Sequence, residues 1–108
     1  GVSRERIESG NICFYVNEMR VLAAGKEVAL TKNEWKMLQV FMENPRQILS
    51  KNQLLEKIFD AEGDFVDENT IAVNIRRLRE KIEPDSSKPE YIKNVRGIGY
   101  LWDKECRR

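Results

Sequence analysis

One stretch constrains this chain more than any other: Val66 to Pro84, VDENTIAVNIRRLREKIEP. Ile71, Ile75, Leu78 and Ile82 recur at helical spacing, which puts a single apolar stripe along one face of a helix. Such a stripe has to be buried, so the rest of the chain must cover it. The opposite face carries Asn69, Thr70, Val73, Arg76 and Arg77, with Arg79 on the flank. Pro84 ends the helix, because it has no N–H to donate and biases Glu83 away from helical geometry. Arginine binds guanine bidentately, asparagine does the same for adenine, and an apolar side chain meets the thymine methyl. The outer face is therefore equipped to read base edges. Solvated arginines are also the ordinary content of a helix surface, and the helix alone leaves both readings open. The early positions of a reading helix reach deepest into a groove, which favours Asn69, Thr70, Val73, Arg76 and Arg77 over Glu80 or Lys81.

The remaining segments predict a mount for that helix. Residues 1–10 read as a linker or domain boundary. Three short β-prone runs follow, Ile12 to Val16, Met19 to Ala23 and Glu27 to Leu30, broken by Asn17-Glu18 and Ala24-Gly25-Lys26; they predict a small antiparallel meander. Thr31-Lys32-Asn33-Glu34 fits a capping box that opens a helix with Trp35, Met37, Leu38, Phe41 and Met42, a stripe wide enough to be covered from two sides. Asn44-Pro45 ends it. Ser50-Lys51-Asn52-Gln53 is a second capping box, before a shorter helix that pairs Leu54 with Ile58 and Leu55 with Phe59. The acid- and glycine-rich turn Asp60 to Asp64 precedes the long helix. After it, Tyr91 to Trp102 supplies two β-prone arms around Arg96-Gly97-Ile98-Gly99, whose glycines permit the positive φ of a hairpin turn. Phe14, Trp35, Phe41, Phe59, Tyr100 and Trp102 are assigned to the core. The expected fold class is α+β: a winged helix-turn-helix over residues 11–103, with an N-terminal antiparallel β-sheet, three helices, a C-terminal β-hairpin wing, and a tail at 104–108.

Charge adds information only through its distribution. The 108 residues carry a net charge of +1, which argues neither for nor against a nucleic-acid partner. Residues 56–68, however, hold six acidic side chains against one basic, and residues 69–108 hold ten basic against six acidic. Phosphate contact belongs to the basic helix-plus-hairpin part. The acidic loop would be repelled by a duplex and points toward a protein partner. Asp67 and Glu68 equally fit simple complementarity to the helix macrodipole, whereas Asp60, Glu62 and Asp64 precede the helix and fit that reading less well. Arg96, at the hairpin tip, is placed to enter a narrow A·T-rich minor groove, with Lys93 and Asn94 meeting backbone on the way in; a charged tip that serves only solubility is the competing reading.

Other classes of function find little support. The chain has no histidine, the commonest general base, and its acids sit in one loop rather than across from a nucleophile, so an enzyme is not expected. No cofactor is implied: Gly97-x-Gly99 lacks the third glycine of a dinucleotide fingerprint and precedes a strand. The carboxylates of DAEGDFVDE do not match calcium-loop spacing, so no metal is expected. Cys13 and Cys106 lack metal or redox spacing and read as free thiols of a cytoplasmic protein. No apolar run reaches the roughly 20 residues of a membrane span, and the polar start is not a signal peptide.

From Leu30 to Trp102 the chain resembles the effector domain of OmpR/PhoB-type two-component response regulators. The matching pieces are LTKNEWKMLQVFMENP, ILSKNQLLEKIF, VDENTIAVNIRRLREKIEP and YIKNVRGIGYLW, in order and with family-like spacing. The resemblance implies a four-stranded sheet, three helices and a hairpin wing, with the third helix, Asp67 to Glu83, in the major groove. It implies roles for Arg76, Arg77 and Arg79 on bases and phosphates, and for Arg96 in the minor groove. Asn74 stands where a histidine is frequent and joins the implied contact set, and Asn94 stands where a threonine is common. The 60–65 loop matches the transactivation loop through which some members touch RNA polymerase, which implicates Asp60, Glu62 and Asp64. Members bind direct repeats as head-to-tail homodimers and answer to a sensor kinase through an N-terminal receiver domain, which this sequence does not include. The pattern also departs from the family: Phe59 replaces a tryptophan whose indole N–H reaches a phosphate, and Asn69 replaces a common arginine. A sequence-specific regulator of transcription is the leading reading, and a winged-helix protein-interaction module acting through the acidic loop is the alternative.

Overall fold

The computed structural model describes residues 6–58 and 68–107, with side chains in the second span given from Ile71 onward. Ten elements follow one another: β1 (Arg6–Ser9), β2 (Ile12–Tyr15), β3 (Arg20–Ala23), β4 (Lys26–Val28), α1 (Lys32–Glu43), β5 (Ile48–Ser50), α2 (Lys51–Ile58), α3 (Glu68–Ile82), β6 (Ile92–Val95) and β7 (Gly99–Trp102). Strands β1 to β4 form an antiparallel meander in sequence order. A second sheet has the order β5-β7-β6, also antiparallel. The fold is α+β: the three helices follow the first sheet, and β5 of the second sheet falls between α1 and α2.

Both predicted capping boxes close. The Glu34 N–H donates to Thr31 Oγ1 (3.2 Å) while the Thr31 N–H donates back to Glu34 Oε1 (3.0 Å). At α2 the Gln53 N–H donates to Ser50 Oγ (3.1 Å) and the Ser50 N–H to Gln53 Oε1 (2.8 Å). Each box satisfies donors that a helix start otherwise leaves without an acceptor. The stripes meet in one core: Met37, Leu38, Phe41 and Met42 from α1, Leu54 and Ile58 from α2, and Ile71, Ile75, Leu78 and Ile82 from α3 are all buried. Trp102 is fully buried and stacks near Phe41, while Trp35 is half-buried and stacks on Phe14 with ring centroids 4.4 Å apart. Phe59 and the acidic loop 60–64 lie outside the described residues.

The structure departs from the sequence expectation in several places. Residues 6–9, read as linker, form β1, which pairs with β2 in the register Arg6 with Tyr15 through Ser9 with Ile12 and buries Ile7 and Ser9. Ile7 is the one strongly apolar residue in that strand, too weak a pattern to stand out. Strand β5 is likewise absent from the sequence expectation, because three residues between two helices carry no periodicity. The expected tail is tied down: Glu8 and Arg107 exchange backbone hydrogen bonds of 2.7 Å each, and Ser9 Oγ donates to the Glu105 carbonyl (2.9 Å). The two hairpin glycines do different jobs. Gly97 takes the left-handed φ of +77° at the wing tip. Gly99 does not; there a Cβ would lie 2.0 Å from the Leu49 carbonyl oxygen, so glycine is what lets β7 approach β5. Cys13 lies on the face of β2 opposite buried Ile12 and Phe14, whereas Cys106 packs against the core; the two are not joined in a disulfide.

Candidate nucleic-acid interface

The burial of Ile71, Ile75, Leu78 and Ile82 fixes which way α3 faces. Arg76 and Arg77 are exposed on the other side, as the spacing predicts, and Val73 is half-buried. Arg76 Nε sits 3.8 Å from Glu80 Oε1 one turn on, an exposed pair that contributes little to stability and exchanges readily for another anion. Arg77 makes no hydrogen bond or ion pair with another described residue. The backbones of Asn69 and Thr70 belong to α3, and their side chains lie outside the described set.

Asn74 is a correction. It is only 5% exposed and engaged within the protein, so it does not belong to the outward face. Its position is three residues after Ile71 and four before Leu78, and at about 100° per residue it falls on the edge of the apolar stripe. That signal was present in the sequence.

Arg79 is a second correction. Its guanidinium turns away from the outer face and onto the wing: Nε and Nη2 both donate to the Ile92 carbonyl (3.1 and 2.9 Å), and Nη2 also donates to Asn94 Oδ1 (2.6 Å). Burial pulls this guanidinium below the usual arginine range, against Tyr100 and Glu83, which hold it up. Asn94, predicted to meet a DNA backbone, is exposed but uses its side-chain oxygen to receive Arg79. Lys93 is exposed and bridges to Asp103 Oδ2 at 2.8 Å. The hydrogen bond from Lys93 is the main cause that holds the Asp103 carboxyl below the usual range, assisted by the charges of Lys93, Arg46 and Lys104 against a smaller opposing push from burial.

Arg96 stands exposed at the wing tip with no described partner, beside Gly97 and exposed Ile98. The turn is closed by the Ile98 N–H donating to the Val95 carbonyl (3.0 Å). An open cleft of about 460 Å³ lies between the wing and the start of α2, lined by Lys51, Asn52, Asn94 and Arg96 among others. Nothing local in the sequence brings Lys51 to this place. Pairing of β5 with β7 does so, because α2 begins where β5 ends.

Two buried acids brace the helix, and both escaped the sequence reading as anchors. Glu83 is 7% exposed, and its carboxylate accepts the N–H groups of Glu90 (2.8 Å), Tyr91 (3.0 and 3.1 Å) and Ile92 (2.9 Å). Glu34, fully buried in α1, receives the Lys81 ammonium from α3. Burial pushes the Glu34 carboxyl up, but hydrogen bonds from Lys81 and Thr31 outweigh that and leave it below the usual glutamate range. The site therefore has an outward cationic face on α3, a wing tipped by arginine beside it, and internal braces that hold one to the other.

A helix-turn-helix core with an arginine-bearing third helix and a hairpin wing defines a class of regulatory DNA-binding folds. Residues 25–102 match the family model described as "Transcriptional regulatory protein, C terminal". The chain belongs to that family, and its fold is that of the OmpR/PhoB-type winged-helix domain. It is 47% identical over 88 residues to the alkaline phosphatase synthesis transcriptional regulatory protein SphR of Synechococcus elongatus, covering 81% of this chain and 34% of the relative. It is 45% identical over 86 residues to the regulatory protein VirG of Agrobacterium tumefaciens, covering 78% of this chain and 31% of that one. The chain thus spans about a third of the length of these curated relatives. Among solved structures it is similar to the DNA-binding domain of RstA from Klebsiella pneumoniae, crystallised in complex with the RstA box, with a TM-score of 0.78 and 29% identity over 92% of this chain and 97% of that one. The response regulator DrrB of Thermotoga maritima, an OmpR/PhoB homologue, gives a TM-score of 0.78 at 30% identity over 87% of this chain and 42% of its own. No helix among the described residues is long and apolar enough to cross a membrane.

Proposed function

We propose that this chain is a sequence-specific double-stranded DNA-binding module of a transcriptional response regulator, with α3 in the major groove and the wing in the adjacent minor groove. The observation that carries this is the pairing of an outward face bearing Arg76 and Arg77 with a wing whose Arg96 has no described internal partner. Cations left unneutralised on adjoining elements supply counterion release, and guanidinium forks supply base discrimination. The similarity to a domain crystallised with its DNA box supports the same reading. Asn69, Thr70, Val73, Arg76 and Arg77 are the major-groove candidates; Arg96, with Lys93, is the wing candidate. Lys93 reaches phosphate by exchanging Asp103 for it.

Further parts of the reading rest on the family pattern alone. They are head-to-tail homodimers on direct repeats, contact with RNA polymerase through Asp60, Glu62 and Asp64, and control by a sensor kinase through a receiver domain. One bound domain covers one half-site, so its affinity alone is modest, and pairing on adjacent half-sites raises it through effective concentration. The alternative, a module that binds a protein through the acidic loop, draws on the segregation of charge into residues 56–68. Selection of random duplexes by the purified chain separates the two. Recovery of a motif, with affinity that falls steeply in salt, is expected. Recovery of no motif would transfer the function to the loop, and capture of a protein partner would then be lost on neutralising Asp60, Glu62 and Asp64 rather than on Arg76→Ala or Arg77→Ala.

A further inference from the structure

We infer that Arg79 and Glu83 form a clamp that sets the spacing between α3 and the wing, so that minor-groove discrimination depends on an arginine that does not itself touch DNA. The inference rests on the DNA-binding reading above for its consequence, but not for the clamp itself. Glu83 directly follows α3, four residues on from Arg79, and its N–H continues the helical pattern by donating to the Arg79 carbonyl (2.9 Å), so the two side chains leave the same side of the helix end. They grip the same residue of β6 from its two backbone groups. Arg79 donates twice to the Ile92 carbonyl (3.1 and 2.9 Å), and the Ile92 N–H donates to Glu83 Oε2 (2.9 Å). Arg79 Nη2 then reaches two residues further along the strand, to Asn94 Oδ1 (2.6 Å). Glu83 also takes the N–H groups of Glu90 and Tyr91, which fixes the chain as it enters the wing.

The chemistry accounts for the residue types. A carbonyl that receives two donors from one planar guanidinium is held in direction as well as distance, which a lysine ammonium on a flexible stem does not reproduce. A carboxylate is acceptor-only and can take several backbone N–H groups at once. Both groups are withdrawn from solvent, Arg79 partly and Glu83 almost wholly, so the hydrogen bonds are little weakened by competing water. Only Val95 separates Asn94 from the tip arginine, Arg96, so a shift of β6 at the clamp is carried to the tip. Pre-ordering the wing removes an ordering cost from binding and fixes how far Arg96 stands from the reading helix.

The test compares the 108-residue chain with Arg79→Lys, which keeps the charge and loses the fork, and with Asn94→Ala, an exposed change that removes one acceptor. Backbone amide order parameters are measured in the DNA-free state. The wild-type wing amides from Lys93 to Gly97 should sit near ~0.85, and Arg79→Lys should drop them toward ~0.6 while α3 is unchanged. Asn94→Ala should move them the same way by less. Binding is then compared on duplexes with one core motif and either A·T-rich or G·C-rich flanks. Arg79→Lys should lose as much flank discrimination as Arg96→Ala, and the double variant should lose no more than either. Wing amides that stay rigid in both variants would overturn the clamp. So would intact flank discrimination with lowered affinity for the core motif, the signature of a direct Arg79 contact. A wild-type chain that binds no duplex would sink the DNA reading, and the order parameters would still decide the clamp.

Discussion

Arg77 and Arg79 are two residues apart on α3 and have opposite situations. Arg77 faces outward with no described partner, whereas Arg79 is half-buried and bonds to the Ile92 carbonyl and Asn94. The same contrast runs through the wing, where Lys93 is neutralised by Asp103 and Arg96 is not. A cation already satisfied within the fold holds the interface in shape, and a cation left unsatisfied is available to a phosphate or a base. Residue type does not distinguish the two roles; the location of the nearest carboxylate or carbonyl does.

The two sides of α3 can be disturbed separately. On the inner side, Leu78→Ala opens a cavity at a fully buried position, and a loss of ~2–5 kcal/mol in unfolding free energy by urea titration is expected. Glu83→Gln leaves backbone N–H groups with a weaker acceptor. A cost of ~1.5–3 kcal/mol is expected in the same titration, and an unchanged midpoint would contradict the bracing role. On the outer side, Arg77→Ala should leave stability within about 0.5 kcal/mol and weaken specific DNA binding by ~1–3 kcal/mol if it makes a bidentate base contact. A variant that loses stability without losing specificity would place Arg77 among the internal braces instead.

The Glu34 brace on the inner side of α3 responds to pH. Its carboxyl lies below the ordinary value of 4.5 in the folded state, so the folded chain holds its proton less tightly than the unfolded chain. The stabilisation is complete above the unfolded value and is lost as pH falls below about 4.5 and through the lower folded value. Denaturation titrations at pH 6 and pH 3.5 should show that loss in the wild type and a smaller one in Glu34→Gln. The smallest effect concerns neither side of α3. Ala24 adopts a left-handed φ of +52°, and Ala24→Gly relieves that strain, for a gain of up to about 1 kcal/mol and no change in binding.

What the sequence revealed follows the range of the interactions involved. The two capping boxes span three residues each, and the α3 stripe repeats every turn, so both could be read directly. The hairpin around Arg96 and Gly97 was legible for the same reason. Strands β1 and β5 were not, because four residues with a single strong apolar position, or three residues between helices, hold no period; their strandedness comes from partner strands, in pairings such as Glu8 with Cys13 and Leu49 with Tyr100. The internal roles of Arg79 and Glu34 were hidden similarly, since their partners stand 13 and 47 residues along the chain. Asn74 is the exception, being misplaced although its position on the stripe edge was local.

The most direct test of the central proposal, that the outward arginines read DNA, is competition binding with a duplex recovered by selection and a scrambled duplex of the same composition. The wild type and the Arg77→Ala/Arg96→Ala double variant are measured side by side across a salt series. The expected result is a wild-type preference for the selected duplex of roughly tenfold or more, since each mismatched base pair costs ~1–3 kcal/mol, with that preference collapsed and the salt slope reduced in the variant. Equal affinity of the wild type for both duplexes, or a preference that survives in the double variant, would contradict it.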